Sequence, residues 1–373
     1  MLVGVPKEIK DHEYRVGLVP SSVAELVHRG HTVLVERTAG IGAGLSDDEY
    51  RAAGGVLVDG PERIFAEADL VVKVKEPLAA ERRKLRRGQV LFTYLHLAPD
   101  LEQTRDLIAS GATCLAYETV TSPSGGLPLL TPMSEVAGRL APQAGANCLE
   151  KAQGGRGILL GGVPGVPPAE VVILGGGVSG THAATIALGM GANVTVVDRS
   201  AEALRRLSAQ FGSRLRTIFS TRDALAQLVR RADLLIGAVL VPGAAAPKLI
   251  SRAMVKTMKP GAVIVDIAID QGGCSETSRP TTHSHPTYVE EGVIHYCVTN
   301  MPGAVARTST FALNNVTLPF TLMLADKGWK RALLDDPDLR NGLNVHEGRI
   351  YCRPVAEAHK VPLANVEDII ART

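Results

Sequence analysis

Gly175, Gly177 and Gly180, in the stretch "ILGGGVSG", satisfy the spacing Gly-x-Gly-x-x-Gly. Glycine loses more conformational freedom than any other residue in a regular element, so a run of it behind an apolar segment needs a reason. One reason is a tight turn. The other is a seat for a phosphate, because this spacing brings bare backbone to the start of a helix, where free N–H groups and a positive dipole end attract anions. The flanks favour the second. "VVIL" reads as a buried strand, "VSGTHAATIALGMGA" as a helix of small residues, and "NVTVVD" as a second strand ending on Asp198. In such a unit Gly175 permits the turn and Gly177 admits a pyrophosphate. Gly180 lets helix and strand pack closely, with Val178 and Ser179 in the helix's first turn. Asp198 stands at the spacing of a carboxylate that accepts from an adenosine ribose. Its charge opposes a 2′-phosphate, so NAD is expected over NADP. The adjacent Arg199 pulls the other way.

Nicotinamide chemistry also needs a group to hold the substrate and a proton shuttle. "KEIKDHEYRVGLVP" offers Arg15, "VVKVKEP" offers Lys75 and "LFTYLHLAPD" offers His96, each beyond a β-rich run. Ligands gather at the carboxyl ends of parallel strands. Each residue also has a plain reading: Arg15 as a surface cation, one of the alternating pair Lys73 and Lys75 as solvated, His96 as a turn residue. "VIVDIAIDQGG" offers Asp266 and Asp270, of which Asp270 is better placed in a loop. His283, His285, His295 and Cys297 have ligand-type spacings but no evident common centre, so no metal is expected.

Placing these groups takes alternating strands and helices. Short β-rich runs alternate with helical patterns through the first third, and a second series follows the loop "GGRGILLGGVPGVPP", which reads as βαβ units with parallel sheets. The break "TSPSGGLPLLTPMSE" separates the two series, and Thr131 or Ser134 is expected to cap the helix beyond it. We expect an α/β protein of two Rossmann-like doubly wound domains. Residues 129–306 form the cofactor domain, inserted into a substrate domain built from 1–128 and 307–373. The chain then crosses between domains twice, an arrangement that leaves a cleft.

The length of 373 residues suits two domains. Net charge is +2, which gives no basic excess for a nucleic acid backbone. No apolar run approaches a membrane span, and the charged N-terminus is unlike a secretory signal. Five scattered cysteines fit reduced thiols in a cytoplasm.

Taken in order, "GVPKEIKDHEYRVGLVP", "KVKEP", "YLHLAPD", "LTPMSEVAGR", "VVILGGGVSG", "VDIAIDQGG", "THSHPTY" and "HYCVTNMPGAVARTST" resemble the bacterial alanine dehydrogenase family through nearly the whole chain. Its wider relatives include the NAD-binding domain of proton-translocating transhydrogenase and, more distantly, saccharopine dehydrogenases. The resemblance implies reversible oxidative deamination: L-alanine, NAD and water give pyruvate, ammonium and NADH. It implies a cytoplasmic homohexamer that closes over its substrate. Arg15 and Lys75 would hold the substrate carboxylate and carbonyl oxygen, with Met133 and Asn300 beside them. His96 would be the acid/base group and Asp270 would assist at the iminium and carbinolamine stages. Ser134, Ser220, Val239, Leu240, Val298 and Met301 would line the cofactor. The family often has a basic residue where this chain has Ala203, with Arg199 and Arg205 near it. Two other readings stand beside this one: a non-catalytic subunit that hands hydride to a partner, and a dehydrogenase of a larger amino acid.

Overall fold

A computed structural model describes residues 1–239 and 246–370. It divides into two compact units, one formed by Met1–Met133 with Val305–Thr373 and the other by Ser134–Ala304.

The first unit begins with β1 (Leu2–Val5), β2 (Thr32–Glu36), β3 (Val56–Val58), β4 (Leu70–Val72), β5 (Val90–Thr93) and β6 (Thr113–Ala116). The second holds β7 (Glu170–Leu174), β8 (Asn193–Asp198), β9 (Leu215–Phe219), β10 (Leu234–Gly237), β11 (Val263–Asp266), β12 (Thr287–Glu290) and β13 (Val293–Tyr296). The return segment adds β14 (Leu343–His346) and β15 (Arg349–Ile350). The sheet orders are β15-β14-β6-β5-β4-β1-β2-β3 and β12-β13-β11-β10-β7-β8-β9. Each therefore runs outward in both directions from its first strand, the doubly wound pattern. The direction of winding reverses between β1 and β4 in one sheet and between β7 and β10 in the other.

Most pairings are parallel, and the central strands are apolar on both faces, as strands covered by helices on each side must be. In β4, β5, β6, β10 and β11 every residue is buried. The edges depart from the parallel rule: β14 runs antiparallel to β6, β15 to β14 and β12 to β13. The short runs of β14 and β15 have no long alternating pattern to announce them.

The return segment is bound tightly to the start of the chain. Helix Ala306–Lys327 carries buried Asn314, whose Oδ1 accepts from Val19 N (2.9 Å) and Ser22 Oγ (3.2 Å). Helix Pro20–His28 has no side-chain cap of its own, so Asn314 supplies an acceptor at its N-terminus from almost three hundred residues away. Pro319 and Pro142 sit inside helices Ala306–Lys327 and Thr131–Cys148. Thr131 does not cap the latter. It lies in its first turn and donates to Leu127 O (3.0 Å), and Ser134 lies further inside the helix. Among the described residues no helix is long and apolar enough to cross a membrane.

Candidate active site

In the first unit Lys75 and His96 lie just beyond the ends of β4 and β5, and Arg15 lies in the longer segment after β1, the next strand in the sheet. Arg15 is not a surface cation. It is 2% exposed, and the Glu13 carboxylate takes its Nε (2.7 Å) and Nη2 (2.6 Å) in a two-pronged pair. Its Nη1 meets Met133 Sδ at 3.2 Å, which brings a second predicted residue to the same place. Burial alone would lower the Arg15 pKa, but its bonds and charge pairing with Glu13 hold it above the ordinary value.

Lys73 and Lys75 are sorted by the strand. Lys73 is fully buried, with Nζ 3.0 Å from Glu8 Oε2 and 2.8 Å from Glu81 Oε1, so neither solvent nor ligand reaches it. Burial pushes the Glu8 carboxyl up, against the pull of Lys73. Glu8 Oε1 also accepts from Val74 N (2.7 Å) and Lys75 N (3.3 Å), tying the end of β1 to the segment that carries Lys75. The Lys75 ammonium is mostly covered and lies 3.3 Å from Glu76 Oε2, while Lys10 bonds the other oxygen of that carboxylate. Burial pushes the Glu76 carboxyl up, yet Lys75 and Lys10 outweigh it and hold it down at about 2.

His96 is the exposed member, its side chain 44% accessible. Its φ of 50° is unusual for a residue with a side chain. The turn is held by Glu118, whose Oε1 accepts from His96 N (2.6 Å) and lies 3.9 Å from Nδ1. The ring stacks on Tyr94 at 5.7 Å with 4° between planes, and Tyr94 OH donates to Leu129 O. Sequence reasoning named none of Glu8, Glu13, Glu81, Tyr94 or Glu118. Glu8 and Glu13 lie within "KEIKDHEYR" and Tyr94 within "LFTYLH", which was the available signal for them; Glu81 and Glu118 lie outside both.

In the second unit the fingerprint glycines each have a separate cause. Gly175 has φ of 98°, and a side chain there would meet Ala238 O at 2.6 Å. At Gly180 a Cβ would lie 1.8 Å from Gly175 O, so strand exit and helix touch backbone to backbone. At Gly177, the N-cap of helix Val178–Gly189, a Cβ would meet nothing within 4 Å. That open position at a helix N-terminus is where an anion needs to approach. Asp198 closes the turn by accepting from Gly176 N (2.6 Å) and Ser200 N (2.7 Å), one bond to each oxygen. A carboxylate offers about four acceptor sites, so both oxygens retain capacity for ribose hydroxyls. The residues fit a dinucleotide. Arg206, rather than Arg199 or Arg205, reaches the turn, its Nη2 donating to Gly176 O (2.6 Å). Ser179 Oγ donates to Ser134 O (2.9 Å), which seats helix Thr131–Cys148 against the fingerprint helix. Ser220 N donates to Asp198 O (2.9 Å), and Val239 follows β10 beside Gly175. Leu240 lies outside the described residues.

The two aspartates after β11 part company. Asp266 is fully buried and accepts from Ala268 N (3.1 Å), Cys274 N (2.9 Å) and Ser278 Oγ (2.6 Å). Asp270 is exposed on the single turn Ile267–Gln271. Asn300 has φ of 60°, and its carbonyl accepts from His283 Nε2 (3.1 Å). Val298 and Met301 on either side are buried. His295 bonds Thr277 Oγ1 and Val293 O and stacks on Tyr288. Among the described residues no three His, Cys, Asp or Glu side chains converge as metal ligands.

Two doubly wound sheets, a glycine turn shaped for an anion and a ribose-type carboxylate define a dinucleotide-binding α/β protein. The chain belongs to the alanine dehydrogenase/PNT family: the family's N-terminal domain matches residues 4–137 and its C-terminal domain residues 141–353. It is 60% identical over 370 residues to an alanine dehydrogenase of Halomonas elongata, covering 99% of this chain and 100% of that one. It is 54% identical over 371 residues to one from Mycolicibacterium smegmatis, covering 100% of both. A solved L-alanine dehydrogenase superimposes with a TM-score of 0.94 at 54% identity, over 96% of this chain and 99% of that chain. A transhydrogenase from Sinorhizobium meliloti does so with a TM-score of 0.83 at 25% identity, over 94% and 100%.

Proposed function

We infer that this chain catalyses the reversible, NAD-dependent oxidative deamination of L-alanine to pyruvate and ammonium. One observation carries the reading. Arg15, Lys75 and His96, a carboxylate binder, a compact cation and a proton carrier, follow β1, β4 and β5, three adjacent strands in a chain similar to alanine dehydrogenases over its full length.

Arg15 grips the substrate carboxylate through its planar fork, and Lys75 polarises the oxygen of the carbonyl. Gly175, Gly177, Gly180 and Asp198 would hold the dinucleotide, whose nicotinamide would supply the hydride acceptor for the alanine Cα. The substrate becomes an iminium, and the Asp270 carboxylate stabilises that positive charge. His96 takes the proton of the water that adds to the iminium carbon, then returns a proton to the departing amine. The C–N bond then breaks as the carbinolamine O–H passes its proton to His96, leaving pyruvate and ammonia, which takes up that proton as ammonium. Met133 and Asn300 line the substrate, and Ser134, Val178, Ser179, Ser220, Val239, Val298 and Met301 line the cofactor. Asp198 disfavours a 2′-phosphate, so NAD is the partner rather than NADP. The family reading also carries a cytoplasmic homohexamer, which light scattering of the purified chain checks.

The test is the absorbance of NADH with purified protein, pyruvate and ammonium, each omitted in turn, repeated with NADPH. Oxidation that needs both substrates and favours NADH supports the reading. NADH binding without turnover refutes it and favours a hydride-handing subunit. Turnover only with larger 2-oxo acids moves the substrate.

A further inference from the structure

We propose that Glu13 is a positioning residue for substrate recognition: it sets the direction in which Arg15 presents its guanidinium to the substrate carboxylate. The proposal rests on the reading of Arg15 as the carboxylate binder.

Three N–H groups of one residue converge on the Glu13 carboxylate. Arg15 Nε and backbone N both donate to Oε1, at 2.7 and 3.1 Å, and Nη2 donates to Oε2 at 2.6 Å. The two side chains are 2% and 0% exposed, so water does not loosen the pair. The guanidinium is rigid and planar, and pinning its Nε/Nη2 edge leaves the plane no freedom to turn. Nη1 is thereby aimed at Met133 Sδ, 3.2 Å away. A thioether is a weak acceptor, and a carboxylate arriving at Nη1 makes the stronger bond.

Glu13 has an opposite effect as well. Its charge offsets that of Arg15 and reduces the pull on an anionic substrate. A site selected for attraction alone gains nothing from this carboxylate. Direction is what it supplies, and the two effects predict opposite changes in KM.

The experiment uses the full chain and the variants E13Q, E13D, R15K and E13Q/R15K. It measures kcat, KM for pyruvate and for ammonium, and NADH affinity by fluorescence. E13Q keeps the length but loses the charge; E13D keeps the charge but loses the reach. Positioning predicts that both raise the pyruvate KM by about 10- to 100-fold. The ammonium KM and NADH affinity stay within about twofold and kcat within about threefold, a split that a general loss of folded protein does not produce. Because Glu13 acts through Arg15, E13Q adds no further increase to the pyruvate KM of R15K. A fall in pyruvate KM in E13Q, an unchanged KM in E13D, or additive effects in the double variant overturns the proposal. Should E13Q fail to fold, E13D decides on its own. A wild-type chain that does not turn over pyruvate refutes the functional reading itself, and the proposal with it. Wild-type turnover with an unchanged KM in E13D refutes the proposal alone.

Discussion

Substituting alanine at Gly177 and at Gly180 separates a glycine kept for the protein from one kept for a ligand. At Gly180 the new methyl carbon would sit 1.8 Å from Gly175 O, whereas ordinary contact begins at 3.4 Å. The helix must retreat from the turn by the difference, about 1.6 Å. Overpacking of this kind costs roughly 1–3 kcal/mol, and the retreat moves the helix N–H groups away from the phosphate they serve. G180A should therefore lose both thermal stability and NADH affinity. At Gly177 the backbone has φ −71° and ψ −160°, which alanine adopts freely, and the methyl meets nothing within 4 Å. Without ligand, G177A should be as stable as wild type or better by about 0.4–1 kcal/mol, since the unfolded chain loses freedom. The same methyl occupies the space a pyrophosphate needs, so NADH affinity should fall about 10- to 100-fold, equivalent to roughly 1.4–2.8 kcal/mol. Thermal unfolding of both variants without ligand and fluorescence titration with NADH give the four numbers required. G177A binding NADH as tightly as wild type would mean that the open position is not the phosphate seat.

H96A should lower kcat about 10²- to 10⁴-fold while NADH affinity is retained; near-normal turnover removes His96 from proton transfer. K73M leaves Glu8 and Glu81 buried without their cation and should destabilise the first unit by about 3–5 kcal/mol in denaturant titration. An acid-side effect is expected at Glu76. Its folded pKa, about 2, lies below the ordinary 4.5, so its stabilisation is complete above about pH 4.5 and is lost as pH falls toward 2. The full effect is roughly 3 kcal/mol. E76Q should therefore be less stable than wild type at pH 7, with the gap narrowing between pH 4.5 and 2; a constant gap refutes the assignment.

Local rules carried part of the site and not the rest. The fingerprint was legible because each glycine answers to its own backbone and near neighbours, all within a strand, a turn and a helix. Arg15, Lys75 and His96 were legible as residues at strand ends, but their roles came from resemblance. The carboxylates that hold the site together were not. Glu8 meets Lys73 across 65 residues, and Glu118 meets His96 across 22, with no periodicity linking either pair. Lys73 and Lys75 look alike in sequence, and only the fold separates the fully buried Lys73 from the partly accessible Lys75. Asp270, by contrast, was already legible as the loop member beside Asp266. Strands β14 and β15 went unread because β14 pairs antiparallel with β6 across more than two hundred intervening residues.

That last pairing has a consequence during synthesis. When β6 leaves the ribosome its outer edge, flanked by buried strands, has no partner until Leu343–His346 follows. At translation rates of about 5–20 residues per second the wait is roughly ten to fifty seconds. For most of that interval the nascent first unit also lacks the Asn314 acceptor at the start of helix Pro20–His28. The inserted unit, finished earlier, is free to fold first. An unpaired strand edge is a template for pairing with other chains. Slow translation across residues 134–342 therefore lengthens the time for which this edge is open to pairing with other chains.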